Sequence, residues 1–228
     1  MDLYSYKMLT LSYPERILYT FITKVFSEKD SEIAGTIVIN ENIIESLDIE
    51  DVRQSQQGDH EAYKRLVEKY QQNIAKIMWR FSRDSIVHEE LVQDVFVEAY
   101  FSLMTYNYRA PFIHWLSKIA TRVGYRYWKE QKKQKRTSFT LQDWDENYFR
   151  KPEHIKSEYA AQLLHKMLEQ LPLRDRLVLT LRFLENCNVE QTAYRTGWSK
   201  SMVKVQTIRA KSKLKKLLKN SLKGENDE

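Results

Sequence analysis

Three features of the sequence predict an all-α fold of two small helical domains joined by a flexible linker. Turn formers are scarce: 228 residues contain 5 Gly and 4 Pro, too few for the reversals of a β-sandwich or barrel. From Ser46 onward, apolar residues recur every three or four positions, the period of helices with one buried stripe. That period lapses over one long stretch, residues 132 to 158, which begins basic, turns acidic and carries a Pro. Such a stretch reads as a linker.

Taken in order, residues 1–45 form an extension in which "PERILYTFITKVF" predicts a short amphipathic helix with Pro14 at its first position. "GTIVIN" reads as a brief extended piece. Leu47, Ile49 and Val52 lead to Gly58-Asp59, where Gly ends one helix and Asp caps the next. The next stripe is Tyr63, Leu66, Val67, Tyr70, Ile74, Ile77, Met78 and Phe81. A second helix carries Leu91, Val92, Val95, Phe96, Ala99 and Leu103. A third begins just after Pro111 and carries Phe112, Trp115, Leu116, Ile119, Ala120, Val123 and Tyr127. The helical spacing of Trp115 with Phe112 and Ile119 places it in the core.

Beyond the linker, Leu163, Leu164, Met167, Leu168 and Leu171 form a stripe stopped by Pro172. "LRDRLVLTLRFLE" then predicts a helix with Leu177, Val178, Leu181 and Leu184 inward. A short helix over 189–195, a turn at Gly197, a cap at Ser199 and a long helix to about Asn220 give the order of a helix-turn-helix.

Charge is divided unevenly along the chain. The first 56 residues hold 5 Lys/Arg against 10 Asp/Glu, while the chain as a whole is +6. The remainder is therefore strongly basic, which calls for a polyanionic partner. The basic character peaks in the last helix, where Lys200, Lys204, Arg209, Lys211, Lys213, Lys215, Lys216 and Lys219 meet no acid before Glu225. Val203, Thr207, Ala210, Leu214 and Leu217 share its inward face. Opposite them stand Ser201, Val205, Ile208 and Ser212, with Lys204, Lys211 and Lys215 on one flank and Arg209 and Lys216 on the other. Small groups between cations suit a helix entering a DNA major groove about 12 Å wide. The lysines from 213 on read as a solvated end.

Cys187 is the only cysteine, so an internal disulfide is excluded and a reducing, cytoplasmic setting is expected. It reads as a small core or turn residue. No apolar run reaches the roughly 18 residues of a membrane span, and the start lacks the pattern of a signal peptide. His60, His88, His114, His154 and His165 form no His-x-x-x-His or Glu-x-x-His pair, so no metal, cofactor or catalytic residue is expected.

The stretch from Leu171-Pro172 through Arg176, Leu181-Arg182-Phe183, Ala193, Gly197, Val203 and Arg209-Ala210 resembles region four of bacterial RNA polymerase sigma factors of the extracytoplasmic-function type. "GDHEAYKRLVEKY", "EELVQDVFVEAY" and "FIHWLSKIA" resemble region two of the same family, in the family's order. The resemblance covers about 47–131 and 158–217. It divides the chain into the extension at 1–45, a region-two-like domain at 46–133, the linker at 134–157, a region-four-like helix-turn-helix at 158–221 and a tail at 222–228. The family often has Asn and Asp where Arg122 and Arg126 stand, Glu-Ile-Ala where Gln191-Thr192-Ala193 stands, and Leu at Thr207.

The resemblance implies a sigma factor that binds core RNA polymerase and directs promoter recognition and transcription initiation, with no enzymatic activity. The implied polymerase-binding residues are Glu90, Leu91, Gln93, Asp94, Phe96 and Glu98, with Leu91 and Phe96 partly core. The melted strand of the −10 element would meet Tyr106, Asn107, Tyr108 and Arg109, since unpaired bases stack on aromatics. Arg122, Arg126 and Lys129 would meet the neighbouring duplex. The −35 element would meet Ser199, Lys200, Ser201, Lys204, Val205 and Arg209. An anti-sigma factor is a further implied partner. Residues 1–45 lie outside the resemblance and have no assigned role: they read either as an accessory segment that screens the basic DNA surfaces or as the result of a misjudged translation start. The alternative is a stand-alone helix-turn-helix regulator that binds DNA without polymerase; it leaves 85–131 without a role.

Overall fold

The structure is a computed structural model that describes residues 41–135 and 164–224, together with Phe21 and Val25. Among these residues all regular secondary structure is helical. Of the expected N-terminal helix only Phe21 and Val25 are described, both helical and buried. "GTIVIN" and the linker lie outside the described residues. Contacts divide the chain into two units. One holds the described residues of Ser31–Gln131 with Glu190–Trp198; the other holds those of Met1–Asp30, Lys132–Val189 and Ser199–Glu228.

In the first unit, α1 (Glu41–Gln56) starts upstream of the expected Ser46. Gly58 ends the turn that follows it at φ +98°, a left-handed conformation that Gly reaches at little cost. Asp59 then caps α2 (His60–Met78): its carboxylate accepts from the amides of Glu61 and Ala62 at 2.9 and 3.2 Å. Asp84 caps α3 (Ser85–Ser102) in the same way through Ile86 and Val87. A 3₁₀ turn at Leu103–Thr105 follows. α4 (Phe112–Lys135) begins directly after Pro111.

The expected stripes form the core. Leu66, Ile74 and Met78 of α2, Val95 and Ala99 of α3, and Leu116, Ala120 and Val123 of α4 are all buried. Tyr63 and Val67 are only half-buried. The Tyr63 hydroxyl still donates to the Phe96 carbonyl at 2.5 Å, and burial pushes its phenol pKa up. Asp48 of α1 is buried, and its carboxylate accepts from the Lys69 ammonium and the Tyr70 hydroxyl of α2.

At the end of α4 the buried ring is Trp128, not the expected Tyr127. Gly124 is the cause. A Cβ there would fall well inside contact distance of the Phe81 ring. Its absence lets α4 close on Phe81, whose ring centre lies 4.6 Å from that of Trp128. The Trp128 indole N–H donates to the Phe81 carbonyl at 2.8 Å. α7 (Val189–Thr196) also contributes to this unit, where Arg195 Nε donates to Thr121 Oγ1 at 2.9 Å.

In the second unit, α5 is described at 164–169 and α6 (Leu173–Leu179) starts after Pro172, its N-cap. The single helix expected through Leu184 changes to a π turn over Thr180–Leu184, with the Glu185 amide donating to the Thr180 carbonyl at 2.9 Å. Leu177, Val178 and Leu181 are buried as expected and Leu179 joins them, while Leu184, at the end of the wider turn, is only half-buried. Cys187 is buried and forms no disulfide, and its carbonyl accepts from Arg182 Nη1 at 2.8 Å. α8 (Lys200–Gly224) runs past Asn220 and packs Val203, Ala210 and Leu214 against α6.

Replacing Gly124 by Ala forces a methyl group into the Phe81 ring. Overpacking of this kind costs about 1–3 kcal/mol. Thermal denaturation of Gly124→Ala followed by circular dichroism should show a melting point lower by roughly 4–8 °C per kcal/mol.

Candidate functional surfaces

The outward face of α3 follows from its inward one. With Leu91, Val95 and Ala99 committed to the core, Glu90, Gln93, Val97 and Phe101 emerge three and four residues apart on the opposite side. Glu90, Gln93 and Asp94 are exposed, while Leu91 and Phe96 are buried. The sequence reading missed the apolar character of this surface. Phe101 is 80% exposed and Met104 74%, and Val97 and Ile86 are also exposed. Position arithmetic on α3 could have found Ile86, Val97 and Phe101, since none falls in the inward stripe; Met104 lies in the 3₁₀ turn beyond it.

Glu98 stands apart from the other acids. Its half-buried carboxylate pairs with two arginines of α4: Arg122, and Arg126 Nη1 at 2.9 Å. Arg122 and Arg126 remain about half exposed, so one carboxylate holds two guanidinium groups side by side without covering them. Lys129 is exposed one turn further along.

The loop between α3 and α4 is fixed from α1. Gln56 Nε2 donates to the carbonyls of Leu103 and Tyr106 at 2.9 and 3.3 Å, and Gln56 Oε1 accepts from the Tyr108 hydroxyl at 2.7 Å. Tyr108 adopts φ +59°, a left-handed backbone that strains a bulky residue. Partial burial pushes its phenol pKa up. Tyr106 is buried; its hydroxyl donates to the Ala110 carbonyl at 2.7 Å, and its ring lies against Phe112 and Trp115. Of the two tyrosines only Tyr108 offers its ring to solvent. Trp115, expected in the core, is half-buried. It lines a cavity of about 400 Å³ with Asn107, Arg109, Lys118 and Arg122. This is a cationic hollow with an aromatic wall.

On α8, Ser199 caps the helix by accepting from the Met202 amide at 3.1 Å, after a turn in which Gly197 has φ +74°. Lys200, Ser201, Lys204, Val205 and Arg209 are all exposed. Lys213, read from sequence as part of a solvated end, is held: its ammonium meets the fully buried Asp175 carboxylate of α6 at 2.6 Å. Gln206 Nε2 donates to the other oxygen of Asp175, also at 2.6 Å. Lys211 lies 5.0 Å from the Phe183 ring centre. Two of the helix's cations thus fasten it to its own unit while the outer ones stay in solvent. Nothing in the sequence distinguishes Lys213 from its neighbours until Asp175 is known to be buried.

Among the described residues no group of three or more His, Cys, Asp or Glu is placed to hold a metal ion. No described helix is long and apolar enough to cross a membrane.

Two family models match the chain: Sigma-70 region 2 over residues 66–134 and Sigma-70, region 4 over residues 161–214. Among curated proteins, the chain is 26% identical over 161 residues to the ECF RNA polymerase sigma factor SigX of Bacillus subtilis (strain 168), covering 68% of this chain and 83% of that one. It is 28% identical over 151 residues to the ECF RNA polymerase sigma-E factor of Escherichia coli (strain K12), covering 62% and 78%. Among solved structures, CnrH in complex with the cytosolic domain of CnrY is similar in fold, with a TM-score of 0.53, 21% identity, and 76% of this chain and 98% of that one covered.

Changing Lys213 to Met removes one partner of a buried carboxylate. A hydrogen bond to a charged group contributes about 1.5–3 kcal/mol, and the half-exposed ammonium places the loss at the low end. The expected result is a lower chemical-denaturation midpoint, whereas Lys204→Met, at an exposed position, leaves it unchanged.

Proposed function

This chain belongs to the sigma-70 family of RNA polymerase sigma factors, in its extracytoplasmic-function branch, and we propose that three of its surfaces share the work of initiating transcription. It binds core RNA polymerase and promoter DNA and directs initiation. A stand-alone helix-turn-helix regulator is not favoured, because the region 2 match covers the residues such a regulator leaves idle. The observation that carries the reading is the presence of both sigma regions, in order, on one chain.

Core polymerase would dock on the exposed face of α3. Glu90, Gln93 and Asp94 supply the polar contacts, and Val97, Phe101 and Met104 supply apolar area that stays in water until a partner covers it. The buried Leu91 and Phe96 shape the helix from beneath rather than touch the partner. Glu98 acts on the DNA side, as the holder of Arg122 and Arg126.

A base of the melted −10 strand would enter the hollow beside Trp115, with Asn107 and Arg109 to read its edge and Tyr108 to stack outside. Tyr106 would support this loop from the core. Arg122, Arg126 and Lys129 would contact the phosphates of the adjoining duplex. The exposed N-terminal turns of α8 would enter the major groove of the −35 element, with Lys200, Lys204 and Arg209 as cations. Two DNA-binding modules on one chain gain affinity through effective concentration. Opening DNA by binding requires no covalent chemistry from this chain, and its place of work is that of the polymerase, the cytoplasm. An anti-sigma partner would compete for the α3 face. The screening role expected of the acidic extension lies outside the described residues.

Pull-down of core RNA polymerase by the tagged chain tests the reading. Wild type should retain polymerase; Val97→Ser with Phe101→Ser should lose it while keeping the wild-type melting curve, since both side chains are exposed. Retention by neither would contradict the proposed docking face and the family assignment together. Promoter binding by the holoenzyme should fall steeply with salt, and Lys204→Ala or Arg209→Ala should each flatten the log-log slope by about 1.

A further inference from the structure

Ile208 is 69% exposed and Val205 47%, on a helix whose apolar stripe is already buried through Val203, Ala210 and Leu214. At 100° per residue, Val205 and Ile208 point almost directly away from that core, with exposed Ser201 and Ser212 on either side of them along the same line. Exposed Lys204 and Lys215 border the line on one side, and exposed Arg209 and Lys216 on the other. A lone exposed aliphatic residue is ordinary. Two of them one turn apart, opposite the core and between two rows of cations, form an apolar strip on the part of the surface that polyanion binding would cover.

We propose that Ile208, with Val205, reads thymine methyl groups in the major groove, so that part of this chain's promoter preference is apolar. The inference rests on the reading of α8 as the helix that enters the −35 element. The chemistry follows from the groove: thymine is the base that presents a methyl group there, and apolar side chains recognise it by excluding water. The rows of cations bring the strip to the bases by meeting the phosphates on both sides of the groove, and carry no sequence information themselves. The short serines let the helix approach closely.

The test uses holoenzyme assembled from core polymerase and the full chain, and promoter fragments it selects from a library randomised in the −35 region. Each thymine of the selected sequence is replaced in turn by deoxyuridine, which removes the methyl group and nothing else. At one thymine or two adjacent ones, wild-type affinity should drop about fourfold, the effect of exposing one buried methyl group. Ile208→Ala should bind the unsubstituted fragment about fourfold more weakly and lose nothing further at that thymine, as coupled partners do. Equal deoxyuridine losses for wild type and variant, or none at any thymine, would overturn the inference while leaving −35 binding intact. Loss of polymerase assembly by Ile208→Ala would overturn it in favour of a protein partner on the strip. Failure of wild-type holoenzyme to select any fragment would overturn the promoter reading beneath it.

Discussion

The buried carboxylate of Asp175 is the constraint on which the C-terminal unit depends. A carboxylate with no exposed surface survives only if its charge is met, because removing it from water costs several kcal/mol. α8 meets it from two positions seven residues apart, Gln206 and Lys213. Two contacts on one side of a helix fix both its rotation and its axial position. That rotation decides which residues face outward. With Gln206 and Lys213 turned toward α6, the line from Ser201 through Val205 and Ile208 has to face solvent. The outward face of α8 is therefore set by a polar anchor as well as by the apolar packing of Val203, Ala210 and Leu214.

A similar economy operates in the first unit. α3 divides its residues among three tasks: Leu91, Val95 and Ala99 build the core, Glu98 holds two arginines of α4, and the opposite face is left open. Glu98 pairs with guanidinium groups that would otherwise repel each other, being one helical turn apart on α4. The pair is held in place yet still carries net positive charge. Next to it, the loop containing Tyr108 is kept in a strained left-handed conformation by Gln56 of another helix. Strain of this kind persists where surrounding structure over-determines it, here beside the hollow walled by Trp115.

Much of the fold was legible in the sequence because helices advertise themselves by period. The caps at Asp59 and Ser199, the turns at Gly58 and Gly197, the start of α4 after Pro111 and the inward stripe of α8 all follow from local chemistry. What escaped depended on contacts between elements. Trp128 replaces Tyr127 in the core because Gly124 lets Phe81 come close, and no local rule couples positions so far apart. The π turn at Thr180–Leu184 is invisible to a count of threes and fours. Tyr106 and Tyr108 look equivalent in "MTYNYRAPF", yet only the packing of Phe112 and Trp115 shows which is buried. Glu98 reads as one more acid on an acidic helix until its partners on α4 are seen.

As a sigma factor, this chain confers promoter selectivity on a polymerase that lacks it. The most direct measurement is multi-round transcription in vitro from genomic DNA with core RNA polymerase, with and without the chain, mapping RNA 5′ ends. A sigma factor yields discrete start sites that appear only when both components are present, each preceded by two shared sequence elements at a fixed spacing. RNA that is unchanged by the chain, while the chain alone retards the same DNA, would contradict the claim and identify it as a DNA-binding protein that works without polymerase.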